Sequence, residues 1–380
     1  MPVPSLPRRV NEVSTLEELD RLVAAGARSL AGWRLRDLDL RSRGPVLRTL
    51  DPAQALFLGC RLDAATEADL EQRGALVFPV VPDVPVDPYR ARLYAPEELY
   101  DGLADEPPGA PYEETLDARA FAWAGQTRGD LRASLTRGLH DLAVDTALEE
   151  ATRDQPVVGV MGGHDLARGS TGYRDAARLG RALRRAGLVV ATGGGPGAME
   201  AANLGAYLAG ADDAALDEAL GMLSVVPGYA GRVGEWARCA FEVRRRWPPG
   251  PGLGSLGVPT WFYGHEPPNV FPDRVAKYFR NAIREDVLLH VCTAGTVFLP
   301  GQAGTVQELF QDACENFYAE APSVAPMVLV GVRFWTEELP CWPLLKALAA
   351  GREMAGLVHV VDDLHAVPAL LQRPDATLQR

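Results

Sequence analysis

The spacing of apolar positions divides the chain into three stretches. From Pro156 onward, short apolar runs alternate with segments of helical period. PVVGVMGG is an unbroken apolar run closed by glycines, the pattern of a strand buried on both faces of a parallel sheet. STGYRDAARLGRALRRAG follows with apolar residues every three or four positions, Ser170 placed to start the helix and Gly187 to stop it. LVVAT is a second strand, running into the loop and helix of GGGPGAMEAANLGAYLAG. MLSVV, PTWFYG, GTVFL, PMVLVGV and LVHVV add five strand candidates, and FPDRVAKYFRNAIREDVLL and AGTVQELFQDACENFY add helical text. Such alternation predicts an α/β fold over residues 155–380: a Rossmann-like, doubly wound parallel sheet covered by helices on both faces.

Residues 1–115 do not follow that pattern. STLEELDRLVAAG has helical spacing and a capping-box start from Ser14 to Glu17. LAGWRLRDLDL and ALFLGCRL alternate as short strands do, and VFPVVPDVPVDPYRARLYAPEEL is too rich in proline for a central strand. The expectation is a small, irregular accessory domain, a stack of short strands, with no internal sequence repeat. Residues 116–154 read as a helical connector, in which His140 has a structural or surface role.

Composition narrows the partners. The formal net charge of −12 argues against a nucleic-acid partner, whose proteins carry a basic excess. A small anion is still compatible, because local backbone N–H groups can hold it against the global charge. No apolar run reaches membrane-spanning length and no signal peptide stands out, so no membrane partner and a cytoplasmic location are expected. Five dispersed cysteines with no CxxC pair read as free thiols. Lys277 and Lys346 are the only lysines, so Schiff-base chemistry would need one of them. The histidines are dispersed with no HExxH, so no metal site and no cofactor are expected.

Two glycine-rich loops carry the candidate chemistry. In TGGGPGAME, Gly193, Gly194, Gly195 and Gly197 lie between a strand and a helix, where glycines let a ligand approach the backbone and the helix N-terminus favours a phosphate. Met199 and Glu200 open that helix, Glu200 also being a candidate first-turn dipole residue. In PGQAGTVQE, Gly301, Gln302, Ala303, Gly304 and Thr305 would place N–H groups and a hydroxyl at a second helix start. Glu308 faces the ligand crevice or caps the helix as an N3-type acid. Ligands of open α/β sheets bind at such strand ends. Neither loop is the G-x-G-x-x-G dinucleotide fingerprint, and GxxxxGK[ST] is absent.

Further candidates sit at other strand ends. Gly163 and His164 close the first strand, and His164 is placed to touch phosphate or base or to serve only as a turn residue. Arg168, Gly169 and Ser170 could add phosphate donors, and Asn203 could face a ribose. In VPTWFYGHEPPN, Phe262 or Tyr263 could stack on a base, and His265 or Glu266 could touch the ribose or protonate the leaving base. The alternative is a rigid loop with aromatic packing.

The pair GGGPGAME and PGQAGTVQE resembles the LOG family, named for the plant cytokinin-activating enzyme "lonely guy" and formerly mislabelled as lysine decarboxylases. The resemblance spans residues 155–365, and the added N-terminal stretch is similar to a bacterial branch. This chain has Gln302 where the family usually has Gly, Gln307 before Glu308, and Ala198 and Glu200 where Leu and Gly are common. The resemblance implies hydrolysis of the N-glycosidic bond of a nucleoside 5′-monophosphate to free base and ribose 5-phosphate. Glu308 matches the family's catalytic Glu. Arg284 best matches its catalytic Arg, with Arg280 one turn earlier as competitor. It also implies a homodimer with the site near the subunit interface. The alternative is a non-catalytic nucleotide or cofactor sensor or carrier, since molybdenum-cofactor carriers resemble LOG proteins and share the fold.

Overall fold

The computed structural model describes residues 11–105, 109–262 and 266–372. They form two compact units. The first comprises residues up to Ala91 together with Ser134–Ala143, and the second comprises Arg92–Ala133 and the chain from Val144 onward. The boundary expected at 115 therefore lies near 91, and the helical connector is shared out between the units. Among the described residues no helix is long and apolar enough to cross a membrane.

The first unit is built from four short strands, β1 (Asn11–Val13), β2 (Trp33–Arg36), β3 (Leu56–Leu58) and β4 (Leu76–Phe78), all parallel and in sequence order. Between them lie α1 (Leu16–Ala24), α2 (Gly44–Leu47) and α3 (Ala64–Gln72). Glu12 faces Arg34, Arg34 faces Leu56 and Leu56 faces Leu76, steps of 22, 22 and 20 residues. The isolated bridges Ser29–Asp51 and Asp39–Arg61 keep the same step. The unit is thus a small solenoid, in which each turn buries its apolar face on the next. Val13, Leu35 and Phe57 stack through its core with Val77 packed against them. The repeat escaped the sequence reading because its period is shared while its residues are not. The cap of α1 is Thr15, whose hydroxyl accepts from the Glu18 N–H, one residue after the expected Ser14.

In chain order there follow α4 (Pro96–Leu99), α5 (Leu116–Gln126) and α6 (Leu131–Thr152). His140 on α6 is fully buried within the first unit, its Nδ1 3.1 Å from Asp141, which fits its structural reading.

The second unit holds a seven-stranded parallel sheet. Its elements run β5 (Val157–Met161), α7 (Thr171–Arg185), β6 (Val189–Thr192), α8 (Ala198–Tyr207), α9 (Asp213–Leu223), α10 (Val233–Arg246), β7 (Ser255–Gly257), β8 (Arg274–Val275), α11 (Asn281–His290), β9 (Gly295–Phe298), α12 (Ala303–Tyr318), β10 (Met327–Val330), α13 (Cys341–Ala349) and β11 (Val358–Val361). The strand order β11-β10-β9-β5-β6-β7-β8 starts in the middle at β5, grows to one edge, then returns to β9 and grows to the other. The chain is therefore Rossmann-like and doubly wound, with its topological switch between β5 and β9, where ligands of such sheets bind. Ser170 caps α7 by accepting from the Tyr173 N–H, and Gly187 ends it at φ +90°, as the sequence predicts.

Three expected elements differ. MLSVV is not a strand: Met222 and Leu223 end α9, where Leu216, Ala219, Leu220 and Leu223 are buried at helical spacing, and residues 224–226 turn out of it. The strand expected in PTWFYG lies earlier, at β7, and Thr260 makes only an isolated bridge to Tyr278. FPDRVAKYF carries the edge strand β8, so the helix begins only at Asn281.

Candidate functional site

The loops after β5, β6, β7 and β9 converge, with α11 and α12, on a cleft of about 350 Å³. Its walls are Gly162, Gly163 and His164 after β5, and Gly193, Gly195 and Met199 after β6. Pro259, Thr260 and Glu266 follow β7, Arg284 and Glu285 come from α11, and Gln302 through Thr305 with Gln307 and Glu308 follow β9.

The second glycine loop forms the helix start that the sequence suggests. Gln302 is the N-cap of α12 and makes no side-chain cap bond, and no acidic residue sits in the first turn. The N–H groups of Ala303, Gly304 and Thr305 thus open a helix with its positive dipole end at the cleft. Gly301 stands behind this turn rather than on the cleft wall, and a Cβ there would collide with the Thr305 side chain. Glu308 belongs to the second turn of α12, so the capping role does not arise.

Glu308 reaches across to α11. Its Oε1 lies 3.1 Å from Nη1 of Arg284, with side-chain exposures of 13 % and 9 %. The Arg284 guanidinium also donates from Nη2 to Asn281 Oδ1 at 3.0 Å. Its Nε is buried without a hydrogen-bond partner. Burial pushes the Glu308 carboxyl above its ordinary value, and the Arg284 charge opposes that shift without cancelling it. A second contact runs parallel to the first: Gln307 donates to Glu285, which also accepts from Asn281 Nδ2 at 2.7 Å. Two neighbouring residues of α12 therefore grip two neighbouring residues of α11 and fix the direction of Arg284.

The first glycine loop divides into lining and support. Gly193 and Gly195 face the cleft. Gly194 faces away: its carbonyl accepts from the Asn269 N–H at 2.8 Å and its N–H donates to Thr192 Oγ1. Gly197, at φ +72°, is the N-cap of α8, where a Cβ would come within 2.6 Å of the Gly163 and His164 carbonyls. The β5 loop is therefore pressed onto this turn. Gly163 is tied on both sides, its N–H donating to the Pro300 carbonyl and its carbonyl accepting from the Ala198 N–H, each at 3.1 Å.

Three expected ligand residues, Glu200, Arg168 and Asn203, serve the framework. Glu200 is 1 % exposed and paired with Arg168, whose Nε donates to Oε2 at 2.9 Å. Arg168 also donates to the Trp236 carbonyl and lies 4.5 Å over its ring. Neither lines the cleft: a carboxylate this deeply buried is retained by its cation, so the acid of the first helical turn turns inward. Asn203 is likewise inside, accepting from Thr192 Oγ1 and Asn269 Nδ2 and donating to Ser255 Oγ. It anchors the glycine loop instead of facing a ribose.

Of the two arginine candidates, Arg284 lines the cleft, while Arg280 is the exposed N-cap residue of α11 and does not. Phe262 is 60 % exposed, off the cleft walls. Tyr263 and His265 lie outside the described residues. Lys277 is buried, its ammonium held by Asp117, which also accepts from Trp261 Nε1 at 2.8 Å. Sequence reasoning missed Asn269, Asn281, Glu285 and Thr260. Asn269 lies within the Gly-His-Glu-Pro-Pro-Asn loop, but nothing local says that its amide supports a loop 74 residues away. Among the described residues, no group of three or more His, Cys, Asp or Glu could hold a metal ion.

No protein-family model matches the sequence, and no curated protein is significantly similar to it. Solved structures are. The molybdenum cofactor binding protein of the phototrophic bacterium Rippkaea orientalis is 17% identical over 58% of this chain and 96% of its own, with a TM-score of 0.35. The molybdenum cofactor carrier protein of Chlamydomonas reinhardtii is 20% identical over 57% of this chain and 94% of its own, with a TM-score of 0.36. A second structure of that carrier is 21% identical over 57% of this chain and 98% of its own, at 0.34.

Proposed function

We propose that the cleft binds a nucleoside 5′-monophosphate and hydrolyses its N-glycosidic bond to free base and ribose 5-phosphate. The observation that carries this reading is the Arg284–Glu308 pair, held by two helices at the switch point and flanked by both glycine loops. The uncapped start of α12 supports phosphate binding through the Ala303, Gly304 and Thr305 N–H groups. Glycoside cleavage passes through an oxocarbenium-like state. Glu308 would stabilise that cation and accept the proton of the attacking water, for which a carboxyl held above its ordinary range is the better base. Arg284 would hold Glu308 in place and add a fixed positive charge beside the phosphate. A homodimer with the cleft near its interface, as the LOG resemblance implies, belongs to the same proposal.

A second reading is a small-molecule carrier with the same fold. It is favoured by the mutual neutralisation of Arg284 and Glu308 and by the Glu285–Gln307 contact beside them, which together make a rigid wall. One experiment separates the two. The protein is incubated with purine, pyrimidine and cytokinin monophosphates, and free base and ribose 5-phosphate are followed by chromatography. Release of both products from at least one nucleotide, absent with the matching nucleoside, is expected. Saturable binding with no product across the panel would instead favour the carrier.

A further inference from the structure

Cleavage of an N-glycosidic bond has two ends. At the sugar, positive charge develops and water adds. At the base, the bonding electron pair arrives on nitrogen, and a purine or pyrimidine leaves poorly unless a proton arrives with it. Glu308 can serve only the first end while it accepts the proton from water. Arg284 cannot donate a proton near neutral pH. Glu285 is occupied as an acceptor by Asn281 and Gln307.

His164 is placed for the second end. It lines the same cleft from the β5 loop, with 42 % of its side chain exposed. Its backbone is fixed between the two glycine loops, through the Gly163 N–H to Pro300, the Gly163 carbonyl to Ala198, and the close approach of Gly197 to the His164 carbonyl. Two carboxylates face its ring: Asp165 Oδ1 is 3.1 Å from Nε2 and Glu266 Oε1 is 3.8 Å from Nδ1. Glu266 lines the cleft from the loop after β7, close to Gly195. The other charged groups on the walls are Arg284, Glu285 and Glu308. A cleft-lining imidazole on a fixed backbone, flanked by two counter-charges, is the arrangement of a general acid.

We propose that His164, with Asp165 and Glu266 as its counter-charges, protonates the leaving base in the hydrolysis proposed above, on which this inference rests. The C1′–N bond breaks and its electron pair moves into the base. The imidazolium proton passes to a ring nitrogen or carbonyl oxygen of the base. The water oxygen bonds to C1′, and its proton goes to the Glu308 carboxylate. Solvent then returns His164 and Glu308 to their starting states. The substrate class is a nucleotide whose base needs protonation to depart.

The test compares two leaving groups. Guanosine 5′-monophosphate requires a proton on its base. 7-Methylguanosine 5′-monophosphate already carries a positive base, which departs neutral. For His164→Gln, kcat/KM on the first nucleotide is expected to fall by about a hundredfold or more, with little change on the second. The alkaline limb of the wild-type pH profile should vanish in the variant on the first substrate. Equal losses on both nucleotides, or no loss on either, would overturn the role of His164. No turnover of either nucleotide by the wild type would instead overturn the hydrolase reading itself, and the inference with it.

Discussion

Arg284 and Glu308 are each buried enough that neither charge is comfortable alone, and each is the other's counter-ion. The same logic turns Glu200 inward. Its carboxylate and Arg168 are each about 1 % exposed, and removing one partner would leave an uncompensated buried charge. Glu200→Ala is therefore expected to lower stability by about 3–5 kcal/mol in a denaturant titration, while nucleotide affinity of the folded protein stays unchanged. Asp312, one turn beyond Glu308, shows burial without a cation. Burial holds its carboxyl up to about 7, although the Thr296 hydroxyl donates to it. Its folded value exceeds its unfolded one, so the proton it keeps stabilises the fold fully below about pH 4. That contribution is lost as pH rises through about 7. Denaturation midpoints should fall between about pH 4 and 7 and level off above, and Asp312→Asn should flatten that slope. An unchanged slope in the variant would assign the effect elsewhere.

At the scale of elements, caps and strand ends were the legible parts. Ser170 and Gly187 could be read as the limits of α7 because each acts on its own neighbours, one accepting the Tyr173 N–H and the other adopting φ +90°. Ser170→Ala should cost about 1 kcal/mol, read as a lower urea midpoint with an unchanged slope. Both glycine loops were legible for the same local reason. What was not legible is set by distance along the chain. Whether Glu200 meets a ligand or Arg168 depends on a residue 32 positions earlier, and Asn269 acts on a loop 74 positions away. MLSVV misled because a short apolar run does not show its own period: only Leu223 in it is buried, while Val225 beyond the helix is 77 % exposed. The edge strand β8, only two residues long, carries too little pattern to be seen against the helix expected there.

At the scale of the molecule, the strand order explains where the candidate site lies. The sheet grows in opposite directions from β5 and β9, so the loops after those strands diverge and leave the cleft between them. The alternation of strands and helices made that architecture readable from sequence. The solenoid of the first unit was hidden, because register, not residue identity, is what its turns share. In the proposed hydrolysis, Glu308 does the chemistry while binding lies elsewhere, in the N–H groups of α12. Glu308→Gln separates the two, because the amide oxygen can still accept from Arg284 and keep the wall intact. Nucleotide affinity and product release measured on this one variant give the most direct test. The expected result is affinity within about threefold of wild type and turnover reduced by about a hundredfold or more. Turnover equal to wild type would contradict it.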